Sequence, residues 1–223
     1  MRSLFLILAI LSLLGASTPA AAVEPSFYVH FGAGMGIPFL KNLDGELERQ
    51  GDETVRPGYS FGVSLGRVFA ERQWSLELHF AATFFPGFDY VSPQDSFPGK
   101  LRHYSYMAVL ERHFRPEGRL IRPMLGAGIG FGQTSLISGG GQMVAPEALI
   151  TGRIDSSIRS TMDLAIECSY YTGLQSKEFG GPFLENVSTD KVLDSDGNAL
   201  KDAFRSLDFR IAFTFWLKQM GPQ

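Results

Sequence analysis

The sequence predicts an all-β fold, an eight-stranded antiparallel up-and-down β-barrel. Three observations predict it. Apolar side chains recur at every second position in eight segments, which is the period of a strand with one apolar face. The links between these segments alternate between long and short. Glycine and serine dominate the second face of several segments, and these small residues suit the crowded interior of a narrow barrel.

The first three predicted strands alternate most regularly. They run from Phe27 to Ile37, from Gly58 to Gly66 and from Trp74 to Phe84. Each has about the ~9–11 residues that a tilted strand needs to cross a membrane. In the first strand, the apolar side chains alternate with Tyr28, His30 and three glycines.

Five further predicted strands bring the number to eight. An even number of strands returns the chain to the end of the barrel where it started. The fourth places Tyr104 and Tyr106 on its apolar face, and the sixth is the least regular. The last carries three phenylalanines on one face and an acid and a base on the other. The five are Leu101 to Phe114, Ile121 to Gly132, Pro146 to Ile154, Met162 to Tyr171 and Ser206 to Trp216.

The links predict which end of the barrel faces which side. Short turns, such as the one at Arg115–Leu120, alternate with long loops, as in membrane barrels with short periplasmic turns. The short links are Ala70–Gln73, Arg115–Leu120 and Asp155–Ser160. The long links, predicted as four extracellular loops, are Pro38–Pro57, Pro86–Lys100, Gln133–Ala145 and Gly173–Arg205.

The N-terminal residues predict export. Arg2 precedes an apolar run, Leu4 to Leu14, and small residues follow at Ala20 and Ala22. This pattern is typical of a secretory signal peptide cut before Val23. The predicted organisation is therefore a signal peptide, 1–22, and one barrel domain, 23–223.

The alternation leaves open which face is inside. A soluble, lipocalin-like barrel that binds an apolar ligand would keep its apolar face inside. Eight strands, however, leave an interior only wide enough for small side chains, which favours glycines such as Gly32 and Gly128 inside and phenylalanines towards lipid. We therefore expect a transmembrane barrel.

The strand and loop pattern over about residues 26 to 217, together with the aromatic end Phe213-Thr214-Phe215-Trp216, resembles the small eight-stranded outer-membrane proteins of OmpA/OmpX type. The resemblance implies residence in the bacterial outer membrane and assembly by the barrel-insertion machinery. Asp208, Phe213 and Phe215 match the polar and two aromatic positions of that family's assembly signal. Arg210 replaces its usual glycine, and Lys218 to Gln223 continue past the terminal aromatic residue.

Charged residues on the inward faces form the predicted site. Unpaired charges are costly in a narrow lumen, so we expect them to pair into a polar plug, with His30, His79 and His103 nearby. The predicted network is Glu77, Glu111, Arg122, Glu147, Arg153, Asp163, Glu167, Asp208 and Arg210.

Three motifs suggest other functions. The glycines from Gly126 to Gly130 lack the helix of a dinucleotide-binding loop. Asp194 to Asn198 begins like a calcium loop, but Arg205 occupies the position of the bidentate glutamate. His103 and Ser105 are similar to the His-x-Ser of outer-membrane lipid A deacylases, although Tyr106-Met107 replace the Asn-Ala that follows there.

The sequence therefore predicts a non-enzymatic, monomeric barrel with no cofactor and no metal site. Net charge is -3 with no basic stripe, which excludes a nucleic-acid partner. The expected partners are outer-membrane lipid and lipopolysaccharide, met in part through acidic loops at 40–56 and 173–205. A lipid A esterase using His103 and Ser105 is the enzymatic alternative.

Overall fold

The computed structural model describes residues 27–52, 54–69, 73–91, 96–114, 121–136, 142–159, 161–180 and 192–217. The predicted signal peptide, 1–22, lies outside them. The described residues form ten strands and one helix, α1, at Lys41–Arg49. The strands are β1 Phe27–Pro38, β2 Gly58–Phe69, β3 Trp74–Val91, β4 Ser96–His113, β5 Ile121–Leu136, β6 Gln142–Arg159, β7 Met162–Gly173, β8 Lys177–Glu178, β9 Lys201–Asp202 and β10 Arg205–Leu217.

Eight of the strands close into a barrel, in the order β1-β10-β7-β6-β5-β4-β3-β2. Every neighbouring pair is antiparallel, and β1 meets β10 with Phe27 opposite Leu217 and Pro38 opposite Ser206. The predicted fold class is confirmed. We call the end where β1 begins and β10 finishes the terminal end, and the opposite end the cap end.

The barrel is apolar outside and polar inside. Large apolar side chains on the outer face are widely exposed, as at Ile129 (71%) and Ile166 (65%), whereas Glu77 and Asp208 inside are buried. Tyr106 faces outward as predicted. This distribution contradicts the lipocalin-like alternative, which requires an apolar interior. No helix among the described residues is long and apolar enough to cross a membrane.

The strands at the cap end are longer than predicted. β3 and β4 continue their pairing to Val91 and Ser96 after a register shift at Phe84/Gly87, beside Pro86. Only residues 92–95 and 137–141 remain between β3 and β4 and between β5 and β6, so two of the four predicted long loops are shorter than predicted. Backbone pairing continues there without a strictly alternating apolar face, so side-chain periodicity could not reveal it.

The other two long links fold over the cap end. We call α1, β8, β9 and the described residues around them, 39–57 and 174–204, the cap. Leu43 and Leu47, one turn apart on α1, are completely buried, as is Phe179. With barrel residues such as Leu101 and Leu136 they form an apolar core above the polar lumen. The acidic residues of these two links led to the prediction of surface loops, whereas the packing of their apolar residues into a core was not predicted.

Candidate functional site

The lumen contains a cluster around Arg153 near the terminal end. The Arg153 Nη1 and Nη2 atoms lie 3.1 Å from Glu77 Oε1 and 3.0 Å from Glu111 Oε2, and Nε lies 3.2 Å from Asp155 Oδ1. Tyr28 donates its hydroxyl proton to Glu77 at 2.5 Å. All five side chains are buried. One guanidinium thus serves three carboxylates from three strands, which stabilises their burial.

A second cluster surrounds Arg210 further towards the cap. Its Nη1 donates to Glu167 Oε1 at 2.8 Å and its Nη2 to Asp208 Oδ2 at 2.7 Å. Nη2 also donates to the Tyr171 hydroxyl at 3.0 Å, and Nε donates to Ser60 Oγ at 2.9 Å. Because these partners come from β2, β7 and β10, the cluster ties non-adjacent strands together across the lumen.

Two histidines extend the Arg210 cluster through hydrogen bonds. His30 Nε2 lies 2.9 Å from Glu167 Oε2, and His79 Nε2 lies 2.8 Å from the Tyr171 hydroxyl. His79 Nδ1 lies 2.8 Å from Ser64 Oγ. The network therefore includes neutral donors and acceptors as well as ion pairs.

The third cluster lies directly beneath the cap. His103 Nε2 is 2.9 Å from Ser105 Oγ and 3.1 Å from Glu147 Oε1, and Ser105 donates its hydroxyl proton to Glu147. His103 Nδ1 is 2.9 Å from Thr134 Oγ1. Phe204 of the cap stacks on the imidazole, with ring centroids 3.4 Å apart. The apolar cap thus rests on the polar lumen at this residue.

Trp216 and Tyr28 close the terminal end. Their rings lie 5.1 Å apart, and Trp216 donates its indole N–H to Asp163 at 2.5 Å. Asp163 also pairs with Arg122, whose guanidinium lies 5.7 Å from the Trp216 ring. Aromatic and ionic contacts therefore narrow the lumen at the end opposite the cap.

The structure places all nine predicted network residues on the lumen side, in the groups just described. Sequence reasoning missed Asp155 because it ended β6 at Ile154. Asp155 lies two positions after Arg153 on the same face, so a longer strand would have included it. The role of the network remains a prediction.

A small cavity lies among the described side chains of the lumen. It has a volume of about 10 Å³, roughly the space that one water molecule needs, and lies between Glu77, Glu111, Thr151 and Glu167. The described residues contain no group of three or more His, Cys, Asp or Glu side chains arranged to hold a metal ion. The segment from Asp194 forms a turn in which Asp194 Oδ1 accepts the N–H groups of Asp196 and Asn198.

Acids of the cap serve structural roles. Asp202 Oδ2 accepts the N–H groups of Asn42 and Leu43 at 2.9 and 3.0 Å, at the start of α1. Glu46 is buried and accepts the Ser195 N–H at 2.9 Å. Burial raises the pKa of Asp202 and also that of Asp44. Glu53, Glu185 and Asp190 of the predicted acidic loops lie outside the described residues.

The residues of the predicted assembly signal occupy two faces of β10. Asp208 points into the lumen and is completely buried, whereas Phe213 and Phe215 face outward. Recognition of this segment by the assembly machinery stays a prediction.

No protein-family model and no curated protein matches the sequence. Solved structures do match. Neisserial surface protein A (NspA) aligns with a TM-score of 0.56 at 15% identity, over 86% of this chain and 98% of that chain. The fold is that of an eight-stranded outer-membrane β-barrel.

Two further structures align over most of the barrel. Ail, the attachment invasion locus protein of Yersinia pestis, covers 87% of this chain and 100% of its own at 13% identity and a TM-score of 0.46. The N-terminal β-barrel domain of Pseudomonas aeruginosa OprF covers 86% of this chain and 100% of its own, at 13% identity and a TM-score of 0.40.

Proposed function

We propose that this protein is an integral, non-enzymatic β-barrel of the bacterial outer membrane, exported through the periplasm. Its lumen is plugged, and its role is surface interaction. One observation carries the proposal: apolar side chains face outward while charged ones pair inside. Leu125 and Ile211 are more than half exposed, whereas Arg153 and Arg210 are almost fully buried. In water this large apolar surface would be exposed to solvent, which is unfavourable, whereas in a membrane the lipid acyl chains would cover it.

The cap end is proposed to face the cell exterior. The links at the terminal end are short, and those at the cap end carry the folded cap. The cap surface would then be the part available to a partner, with lipopolysaccharide around the rim and the barrel acting as a monomer. Asp208, Phe213 and Phe215 would direct insertion by the assembly machinery.

An esterase at His103 and Ser105 is less well supported. In a nucleophilic relay, the carboxylate orients the imidazole through one ring nitrogen while the serine contacts the other. Here Ser105 and Glu147 both approach Nε2, and Nδ1 faces Thr134. Phe204 also covers the group, away from the lipid surface. We expect Ser105→Ala to leave the acylation of lipid A unchanged, as measured by mass spectrometry of extracted lipid A.

Membrane fractionation tests the proposal. The mature protein should fractionate with outer membranes and migrate differently on a gel with and without heating, because a folded barrel resists detergent at room temperature. A protein that stays soluble in buffer without detergent would contradict the proposal.

A further inference from the structure

Two arginines interrupt the apolar outer surface near the terminal end. Arg67 on β2 and Arg112 on β4 share their outward faces with Leu65 and Leu110. We call them the arginine pair. On the terminal half of the eight barrel strands, every described acidic side chain faces the lumen instead. These acids are Glu77, Glu111, Asp155, Asp163 and Glu167.

Aromatic rings hold both guanidinium groups. The Arg67 Cζ lies 5.5 Å from the centre of the Phe27 ring. The Arg112 Cζ lies 5.0 Å from the Trp74 ring and 6.0 Å from the Phe114 ring. Stacking on a ring orients a guanidinium while leaving N–H groups at its edge for an anion.

Neither arginine pairs with a carboxylate of the described residues, and the Nε of Arg67 has no hydrogen-bond partner. A guanidinium stays charged at every physiological pH. At the edge of an apolar belt, where the side chain can reach the polar interface, an anion in its surroundings stabilises this charge.

The register places the two arginines close together. Arg67 lies opposite Leu76 on β3, and Leu76 lies opposite Leu110 on β4, one outward position from Arg112. Strand spacing and rise then put the two Cα atoms about 12 Å apart. Two arginine side chains at this separation can reach the same lipid headgroup.

We propose that the arginine pair, with Phe27, Trp74 and Phe114, binds the phosphate of an anionic phospholipid in the leaflet at the terminal end. The proposal rests on the membrane location proposed above. Arginine binds phosphate through two parallel N–H groups, and tryptophan is enriched where acyl chains meet headgroups. The site would fix the depth of the barrel in the bilayer at this end.

Lipid retention measured by native mass spectrometry tests this site. The full-length mature protein is refolded into vesicles of equal parts phosphatidylcholine and phosphatidylglycerol, extracted in mild detergent, and its bound lipids are counted. The wild type should retain phosphatidylglycerol about tenfold over phosphatidylcholine, and Arg67→Gln/Arg112→Gln should lose this preference. Arg67→Lys/Arg112→Lys should recover part of it, since charge persists without the planar fork.

The matched control is Lys100→Gln/Arg102→Gln, which removes two outward charges at the cap end, including a guanidinium 5.8 Å from the Phe84 ring. This control should keep the wild-type preference. An unchanged preference in Arg67→Gln/Arg112→Gln, or an equal loss in the control, would overturn the site. Inserted, heat-modifiable protein without any preference would overturn this site alone, whereas protein that does not insert would overturn the proposed function and the site together.

Discussion

Arg210 illustrates at the scale of one residue why the barrel interior is stable. It is completely enclosed, and without it the buried carboxylates of Glu167 and Asp208 would lose their arginine partner. Removing one partner of a buried ion pair lowers stability more than replacing both partners with apolar residues does, because the remaining charge stays buried without a counter-charge.

Arg210→Met should therefore lower the free energy of unfolding by about 3–5 kcal/mol. Denaturant titration of protein refolded in lipid vesicles, followed by tryptophan fluorescence, measures this change. The matched control, Arg102→Met on the outer face, should change it by no more than about 0.5 kcal/mol. Adding Glu167→Gln and Asp208→Asn to Arg210→Met should restore part of the loss, and no recovery would argue against unpaired charge as the cause.

Gly34 shows a second constraint at the residue scale. A side-chain methyl group at this position would overlap the carbonyl oxygen of Phe209 on β10, whereas at Gly152 no atom lies within 4 Å of one. Gly34→Ala should cost about 1–3 kcal/mol because the strands must separate, and Gly152→Ala should be near neutral. The same titration in vesicles compares the two, and equal effects would show that close strand approach is not the reason.

At the scale of the element, α1 depends on an acid far along the chain. Its first N–H groups need acceptors, and Asp202 supplies one for Asn42 and Leu43. Asp202→Ala should lower the free energy of local unfolding of α1 by about 1 kcal/mol. The measurable result is faster hydrogen exchange over residues 41–49. Exchange in the barrel strands should not change. Asp196→Ala, at an exposed residue of the cap turn, is the control and should leave exchange in α1 unaltered.

Acidity should not release the cap. Burial raises the pKa of Asp202 and Asp44 above the value of the unfolded chain, so folding of the cap takes up protons. Their contribution to stability is complete below the unfolded pKa and is lost as the pH rises through the folded pKa. Hydrogen exchange over 41–49, corrected for intrinsic rates, should thus show protection at pH 4 at least equal to that at pH 7. If protection in the wild type were weaker at pH 4 than at pH 7, and Asp202→Asn showed no such decrease, protonation of Asp202 would destabilise the cap. That result would contradict the predicted direction of the pH dependence.

The sequence predicted the barrel strands better than the cap for a physical reason. A strand between lipid and a narrow lumen must alternate, and β10 does so from Ser206 to Trp216. α1 lacks a side-chain cap at Leu40 and lies in a segment rich in acids. Its burial depends on contacts with residues such as Val192 that are distant in sequence. The pairing of Arg153 with three carboxylates likewise depends on register between strands, which no single segment encodes.

At the scale of the whole molecule, aromatic side chains of the described residues lie at both ends of the lumen. Phe204 lies above the lumen and Trp216 lies at its base, with Arg153 and Arg210 between them. In planar bilayers the inserted protein should give no steady ohmic conductance, since the buried ion pairs of Arg153 and Arg210 lie across the lumen. A general porin in the same bilayer is the positive control. Regular, reproducible channels from the purified protein would contradict the plugged lumen.

The pairing of β1 with β10 has a consequence for biogenesis. The barrel closes where β1 pairs with β10, the first and last of its strands along the chain. Their pairing runs from Phe27 opposite Leu217 to Pro38 opposite Ser206. Any intermediate in which the other strands pair before β10 does therefore has an open edge that could recruit another chain. The pairing of β1 with β10 thus removes the last open edge, and protection against such recruitment is complete only then.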